Sequence, residues 1–277
     1  MLKLQNTKTS YIMTNKIKQV NNDAFAGKKD NTDNSHVGNN IKMGSADWAF
    51  SQVDEHKFDE HIRNSVPGYE DCHQISLWTS DFFLNNDSVA IDLGSTTGTF
   101  PLKLAEYHKD RSKLMIKCIE IEQKFCQFLE NKLSKESKQM SHEFQVINTD
   151  LASLDFGQEE IDLVTSFFTL QFIKPSQRSK ILQRIYKSLN WGGALILFEK
   201  VRGSDARFQD ILNYLLSHHK MQKGFSESEI FAKSMSLAGK MEPFSDYGNR
   251  QILENAGFKD IEVLYRNINF QGYLCIK

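Results

Sequence analysis

The sequence predicts an α/β fold: a doubly wound, Rossmann-like seven-stranded sheet, mostly parallel with a C-terminal antiparallel hairpin, and with helices on both faces. Three observations predict it. Short apolar runs bounded by turn residues alternate with stretches of helical period from residue 70 onward. A glycine turn, Gly94-Ser95-Thr96-Thr97-Gly98, joins the first of those runs to the helix after it. Only Arg266 and Asn267 separate the last two runs, 261–265 and 268–276, which is too short for a parallel crossover.

Each element has a local cause. A helix is predicted over 70–84, where Ile75, Trp78 and Phe82 keep helical spacing. Residues 89–92 form a buried strand, and Phe100, Leu102, Leu104 and Ala105 mark the helix beyond the glycine turn. Strand 114–120 precedes a helix carrying Phe125, Phe128, Leu129 and Leu133. Residues 144–147 and 161–168 supply the third and fourth strands. Pro175 opens the next helix, where the missing N–H costs little. Asn190-Trp191-Gly192-Gly193 stops it before strand 194–199. Helical stretches follow over 204–219 and 226–239, then a helix ending at Ala256-Gly257. Strands alternating with helices imply right-handed crossovers and a sheet covered on both faces.

Composition limits the function. The chain has 277 residues, 40% hydrophobic and 25% charged, as expected for a globular protein. Its 34 basic and 35 acidic side chains leave a net charge of −1, so nucleic acid is not the expected partner. No apolar run approaches the roughly 20 residues a membrane helix needs, and no secretory leader is expected. The four cysteines form no C-x-x-C pair and have no histidine at zinc-finger spacing, so a reduced, cytoplasmic protein without a metal is expected. Residues 1–44 are rich in Asn, Lys, Asp, Thr and Ser and are expected to be a disordered or loosely docked arm. Order should begin near Trp48, with one domain over 45–277 and a helical cap near 204–242.

In open α/β sheets ligands sit outside the carboxyl ends of the strands, where strand order reverses. Asp92 ends the first strand there. Gly94 permits a tight turn and close approach of a ligand, and Gly98 lets the following helix pack on the sheet. Thr96 stands at the middle position of a dinucleotide G-x-G-x-x-G motif, so the spacing is a different one. Glu120, ending the second strand, is placed to accept both ribose hydroxyls, and Asp150, after the third, to accept an adenine amino group. Taken singly, each acid is more readily a solvated loop charge; together with the turn they point to a nucleoside. S-adenosylmethionine (SAM) suits this set, because its sulfonium needs chiefly alignment and exclusion of water. The layout is that of class I SAM methyltransferases. His218-His219 is the one tempting acid–base pair, but adjacent helical residues do not share a face, and both read as solvated.

From Trp48 onward the chain resembles the carboxy-S-adenosylmethionine synthase family. The resemblance rests on Ser65-Val66-Pro67-Gly68-Tyr69, the Asp92–Gly98 turn, Phe168-Thr169-Leu170-Gln171-Phe172, Gly192-Gly193-Ala194-Leu195, Glu199-Lys200, Phe225-Ser226-Glu227 and Ala256-Gly257-Phe258. Members convert SAM, with prephenate, into a carboxymethyl sulfonium later used on a tRNA wobble uridine. The resemblance implies a SAM or carboxy-SAM site built from Tyr69, Asp92, Gly94, Ser95, Thr96, Gly98, Glu120, Ile121, Asp150, Leu151 and Phe167. Tyr69, Gln171 and Lys200 are the expected catalytic residues, and a homodimer is the expected assembly. The chain departs from the family at three positions. Glu120 replaces an aspartate, Phe167 an asparagine that contacts SAM, and Ser234 an arginine that holds the extra carboxylate. Serine supplies no guanidinium fork. An ordinary methyltransferase acting on a small molecule is therefore the leading expectation, with an acceptor pocket of Tyr69, Phe167, Phe168, Gln171, Lys200 and Arg202 under a cap from Phe225 to Met241. A true carboxy-SAM synthase, in which Lys233 or Arg202 replaces the arginine, is the second reading. A non-catalytic SAM-binding module is the third.

Overall fold

Seven strands line up in the order β5-β4-β3-β6-β7-β9-β8. They are β3 (Val89–Leu93), β4 (Met115–Glu120), β5 (Glu143–Asn148), β6 (Ile161–Phe167), β7 (Leu189–Lys200), β8 (Asp260–Asn267) and β9 (Phe270–Ile276). Strands β5 to β7 run parallel, and β9 is antiparallel to both β7 and β8. The computed structural model describes residues 35–39, 41–137, 140–157 and 160–277, all within the second of two units, Met1–Asn34 and Ser35–Lys277.

Alternation along each central strand sends successive side chains to opposite faces. Ala90, Leu163, Ile196 and Phe198 join Phe100, Leu104 and Leu129 in one apolar cluster. Ile91, Leu93, Val164, Leu195 and Leu197 join Ile181, Leu182, Ile185, Leu253 and Phe258 in another. The first face is covered by α2 (Tyr69–Ser80), α3 (Thr99–Tyr107) and α4 (Gln123–Glu136), the second by α5 (Pro175–Ser188) and α8 (Asp246–Ala256). All four cysteines are buried free thiols.

The final hairpin turns at Ile268-Asn269, two residues beyond the expected Arg266-Asn267, with Ile268 at φ 51°. The expected break at 190–193 is instead the start of β7, where the register against β6 shifts. Helix α1 (Glu55–Ser65) was not anticipated: its buried side includes His61 and Ser65 beside Phe58, so polar residues dilute the apolar period.

The polar arm expected over 1–44 lies outside the described residues up to 34. Residues 35–39 and 41–48 are described, and structure is present there ahead of Trp48. Ser35–His36 (β1) pairs with Lys42–Met43 (β2), and Val37, Ile41 and Met43 are buried with Trp48, Phe58 and Phe125. Each apolar residue here is isolated in sequence and finds its partners only in the tertiary fold. Backbone bonds from Ala46 N to Met235 O (2.9 Å) and from Trp48 N to Ser236 O (3.1 Å) pin this segment to α7 (Glu227–Ser236). The expected cap is α6 (Ala206–Gln222) followed by α7, which opens on a reciprocal Ser226–Glu229 capping box.

Candidate functional site

The order of strands reverses between β3 and β6, and the site forms above that point. Gly94 N and Ser95 N both donate to Ile119 O, at 2.8 and 3.1 Å, folding the turn over the end of β4. Gly94 has φ 76°, and a Cβ there would lie 2.4 Å from Thr169 Oγ1. Gly98 has φ 70°, and a Cβ there would meet Leu129 Cδ1 at 2.1 Å, so the turn's last glycine serves helix packing. Thr169 Oγ1 donates to Leu93 O (2.9 Å), coupling the Phe-Thr-Leu-Gln-Phe segment to the turn. Phe168, at φ 59°, holds the left-handed backbone that makes this approach.

Glu120 is 4% exposed. Its Oε2 accepts from Thr96 N and its Oε1 from Glu122 N, both at 2.9 Å. Burial pushes its carboxyl above the ordinary range, while the backbone N–H groups pull the other way. Asp92 accepts from Thr165 Oγ1 at 2.7 Å, and burial pushes its carboxyl up to about 6. Asp150 is exposed and accepts from Ala152 N at 2.9 Å.

One cavity of about 460 Å³ gathers these groups. Asp92, Gly94, Ser95, Thr96, Glu120, Ile121, Asp150 and Leu151 line one part of it. Tyr69, Phe167, Phe168, Gln171 and Lys200 line the remainder. Gly98 and Arg202 do not: the first lies under α4, and the second is exposed beside Ser245. His218 and His219 are absent from the lining. Phe167 stacks on Phe198 (5.3 Å) and meets Phe100 (4.6 Å) and His73 (4.8 Å), so it presents only apolar ring surface. Burial holds the Tyr69 hydroxyl far above its usual range, and thus protonated.

Gln171 secures the far side. Its Oε1 accepts from Lys200 N (3.0 Å), and its backbone carbonyl accepts from Arg178 Nη2 (3.2 Å) and Glu242 N (2.8 Å). Glu199 supports the same turn, accepting from Leu170 N at 2.9 Å.

On α7 the residue that enters the cavity is Lys233, while Ser234 is exposed. Lys233 Nζ hydrogen-bonds His61 Nε2, donates to Ser65 Oγ (2.8 Å) and lies 5.1 Å from the Trp48 ring centre. His61 Nδ1 lies 3.2 Å from Asn39 Oδ1, a pure acceptor, which leaves Nε2 free to accept from the lysine. Trp48, His61, Ser65 and Lys220 line the cavity unforeseen by sequence reasoning. Ser65 stood inside a recognised run, whereas Lys220 was masked by the conspicuous histidines before it. Among the described residues no three His, Cys, Asp or Glu side chains gather as a metal site, and no helix is long and apolar enough to cross a membrane.

A doubly wound sheet with a reversed last strand, and an acid-lined glycine turn at its switch point, defines the SAM-dependent methyltransferase class. Residues 90–193 match the model of a methyltransferase domain family. The fold is shared with a SAM-dependent methyltransferase from Aquifex aeolicus (TM-score 0.53, 14% identity, 81% of this chain and 98% of that one). It is shared equally with human N-acetylserotonin methyltransferase in complex with SAM (TM-score 0.53, 15% identity, 80% and 54%). The carboxy-S-adenosyl-L-methionine synthase of Staphylococcus epidermidis is 31% identical over 235 residues, covering 83% of this chain and 97% of that protein. That of Nautilia profundicola is 30% identical over 227 residues, 79% and 90%. The chain belongs to the carboxy-S-adenosyl-L-methionine synthase family and is a SAM-dependent transferase.

Burial pushes the Glu199 carboxyl up to about 8, against the pull of Arg178 and of the Leu170 N–H. An acid raised in the folded state stabilises fully below its unfolded pKa, near 4.5, and that stability is lost as pH rises toward 8. Glu199→Gln keeps the acceptor for Leu170 and cannot ionise. Thermal melts should show the variant's Tm relative to wild type flat below about pH 4.5 and climbing between there and pH 8. A difference that ignores pH would mean that Glu199 has the same pKa folded and unfolded, with no shift from burial.

Proposed function

We propose that this enzyme transfers the sulfonium methyl group of SAM to a small-molecule acceptor. The observation that carries this reading is the joining of the Asp92, Glu120 and Asp150 carboxylates and an aromatic wall within one cavity. Its volume of about 460 Å³ falls in the range of small-molecule sites. The donor set fits a nucleoside sulfonium. Glu120 has lone pairs left after its two backbone bonds, and the acceptor-rich mouth suits ribose hydroxyls and an adenine amino group. Aromatic faces favour the sulfonium cation. Glu120 would hold the ribose, Asp150 and Leu151 the adenine end, and Gly94, Ser95 and Thr96 the approach beneath it. When bound, the sulfonium supplies an activated methyl group. Tyr69, Phe167 and Phe168 would exclude water, and Gln171 would fix the Lys200 strand end over the acceptor.

Ordinary SAM is favoured over carboxy-SAM because the fork-bearing arginine has no counterpart: Ser234 is exposed, and the Lys233 ammonium offers no bidentate fork. A second reading, a carboxy-SAM synthase using prephenate and serving tRNA modification, is supported by the relatives' names and by Lys233 lining the cavity. The four buried thiols suit a reducing compartment, the cytoplasm. On α6, Phe208, Ile211, Tyr214 and Leu215 are exposed, an apolar strip that supports a homodimer.

Three measurements test these proposals. Glu120→Gln should weaken S-adenosylhomocysteine binding about tenfold or more by calorimetry, the loss of a charge-assisted hydrogen bond. An unchanged affinity would remove Glu120 from the cofactor site. Mass spectrometry of the co-purified ligand, and of products with and without prephenate, should find SAM or S-adenosylhomocysteine; a prephenate-dependent adduct heavier by carbon dioxide selects the second reading. Light scattering should find a dimer that the double substitution Phe208→Glu, Leu215→Glu converts to monomers.

A further inference from the structure

The cavity is electrostatically divided, and the division follows the sheet. Its carboxylates stand on the β3-β4-β5 side of the switch point: Asp92 and Glu120 on the first two strands and Asp150 just after the third. Its lysines come from other elements: Lys200 at the end of β7, beyond the switch point, and Lys220 on α6 and Lys233 on α7 in the cap. Among the described residues none of the three amines pairs with a carboxylate. Lys233, 7% exposed, is held only by His61 Nε2, Ser65 Oγ and the face of Trp48. The lysines also lie close enough to repel one another. Burial, with Arg202 in addition, brings Lys200 down to about 8, and burial with Lys200 does the same to Lys220. Burial and the other two lysines lower Lys233 well below its usual range. Desolvating three unpaired amines is costly, and an anion among them reverses both the desolvation and the repulsion.

The cofactor does not account for three lysine amines. Its amino-acid tail carries one carboxylate beside its own ammonium, and its nucleoside faces the acidic half. The same cavity also has apolar lining from Trp48, Phe50, Leu216, Leu237 and Met241. We propose that Lys200, Lys220 and Lys233 form an anion subsite that receives a carboxylate or phosphate on an otherwise apolar, ring-sized acceptor, separate from the cofactor. The subsite rests on the assignment of the acidic half to SAM. It selects the acceptor by charge and turns its apolar body toward the aromatic wall beside Tyr69 and Phe167.

The test uses the full chain saturated with S-adenosylhomocysteine, whose own binding is measured first and reports independently on the cofactor half. Phenylacetate, phenyl phosphate and neutral phenylacetamide are then titrated by calorimetry. The expected result is binding of one or both anions without release of S-adenosylhomocysteine, with the amide at least tenfold weaker. Whichever anion binds more tightly assigns the acceptor's group as carboxylate or phosphate. Lys220→Met should weaken the anion tenfold or more at unchanged S-adenosylhomocysteine affinity, and Lys220→Arg should restore it. Lys233→Met should act in the same direction; Lys220, less buried than Lys233 and without its side-chain hydrogen bonds, gives the variant that folds if that one does not. Equal affinity for amide and anions, displacement of S-adenosylhomocysteine by the anions, or anion binding that survives Lys220→Met would overturn the proposal.

Discussion

The mouth of the sheet is registered by one carboxylate. Glu120 accepts from Thr96 N in the glycine turn and from Glu122 N at the start of the next helix, so two loops that share no sequence proximity are held to a single side chain. The Ile119 carbonyl just before it takes Gly94 and Ser95 N–H groups, completing the attachment. From the other side, Thr169 reaches Leu93 O and Glu199 fixes Leu170. A glycine at position 94 is required because Thr169 occupies the space a Cβ would need. The turn is thus clamped between β4 and the loop after β6, with little freedom to rearrange around a ligand.

Opposite charges on the two sides of the switch point follow from connectivity. Strands β3 to β5 come from the first half of the wound sheet and end in acids. The second half returns through β7 to the cap helices, which are lysine-bearing where they face inward. A cationic sulfonium on the acidic side and an anion on the basic side would each lie in the field of the other, an arrangement that orients two reactants before any contact between them.

Much of the sheet was legible in the sequence because its strands are buried on both faces and read as unbroken apolar runs, as with Val164 and Leu195. The glycine turn and the acids at positions 92, 120 and 150 were legible for a second reason: connectivity alone puts strand ends on one rim. The lysine side was not. Lys220 and Lys233 reach the cavity from helices whose inward face is polar, and nothing in a 3.6-residue period distinguishes a lysine facing a cavity from one facing water. Lys233 was named beside Ser234 as a substitute for the arginine, but the sequence could not say which of the two turns inward. The segment from Ser35 to Gly44 was read as part of a polar arm because Val37, Ile41 and Met43 are isolated among polar residues, and only their packing on Phe58 and Phe125 makes them a core.

Helix α1, which His61 ties to that N-terminal segment through Asn39, meets the cap across most of the chain: the bond between His61 and Lys233 joins residues 172 positions apart. Contacts of such separation close late, because the entropy of bringing distant segments together must be met before they contribute. During synthesis Trp48, Phe50 and Phe58 therefore emerge long before the helix that shelters them. The floor of the pocket is laid by neighbouring strands, while its basic wall and the aromatic strap over it are assembled last, from opposite ends of the polypeptide.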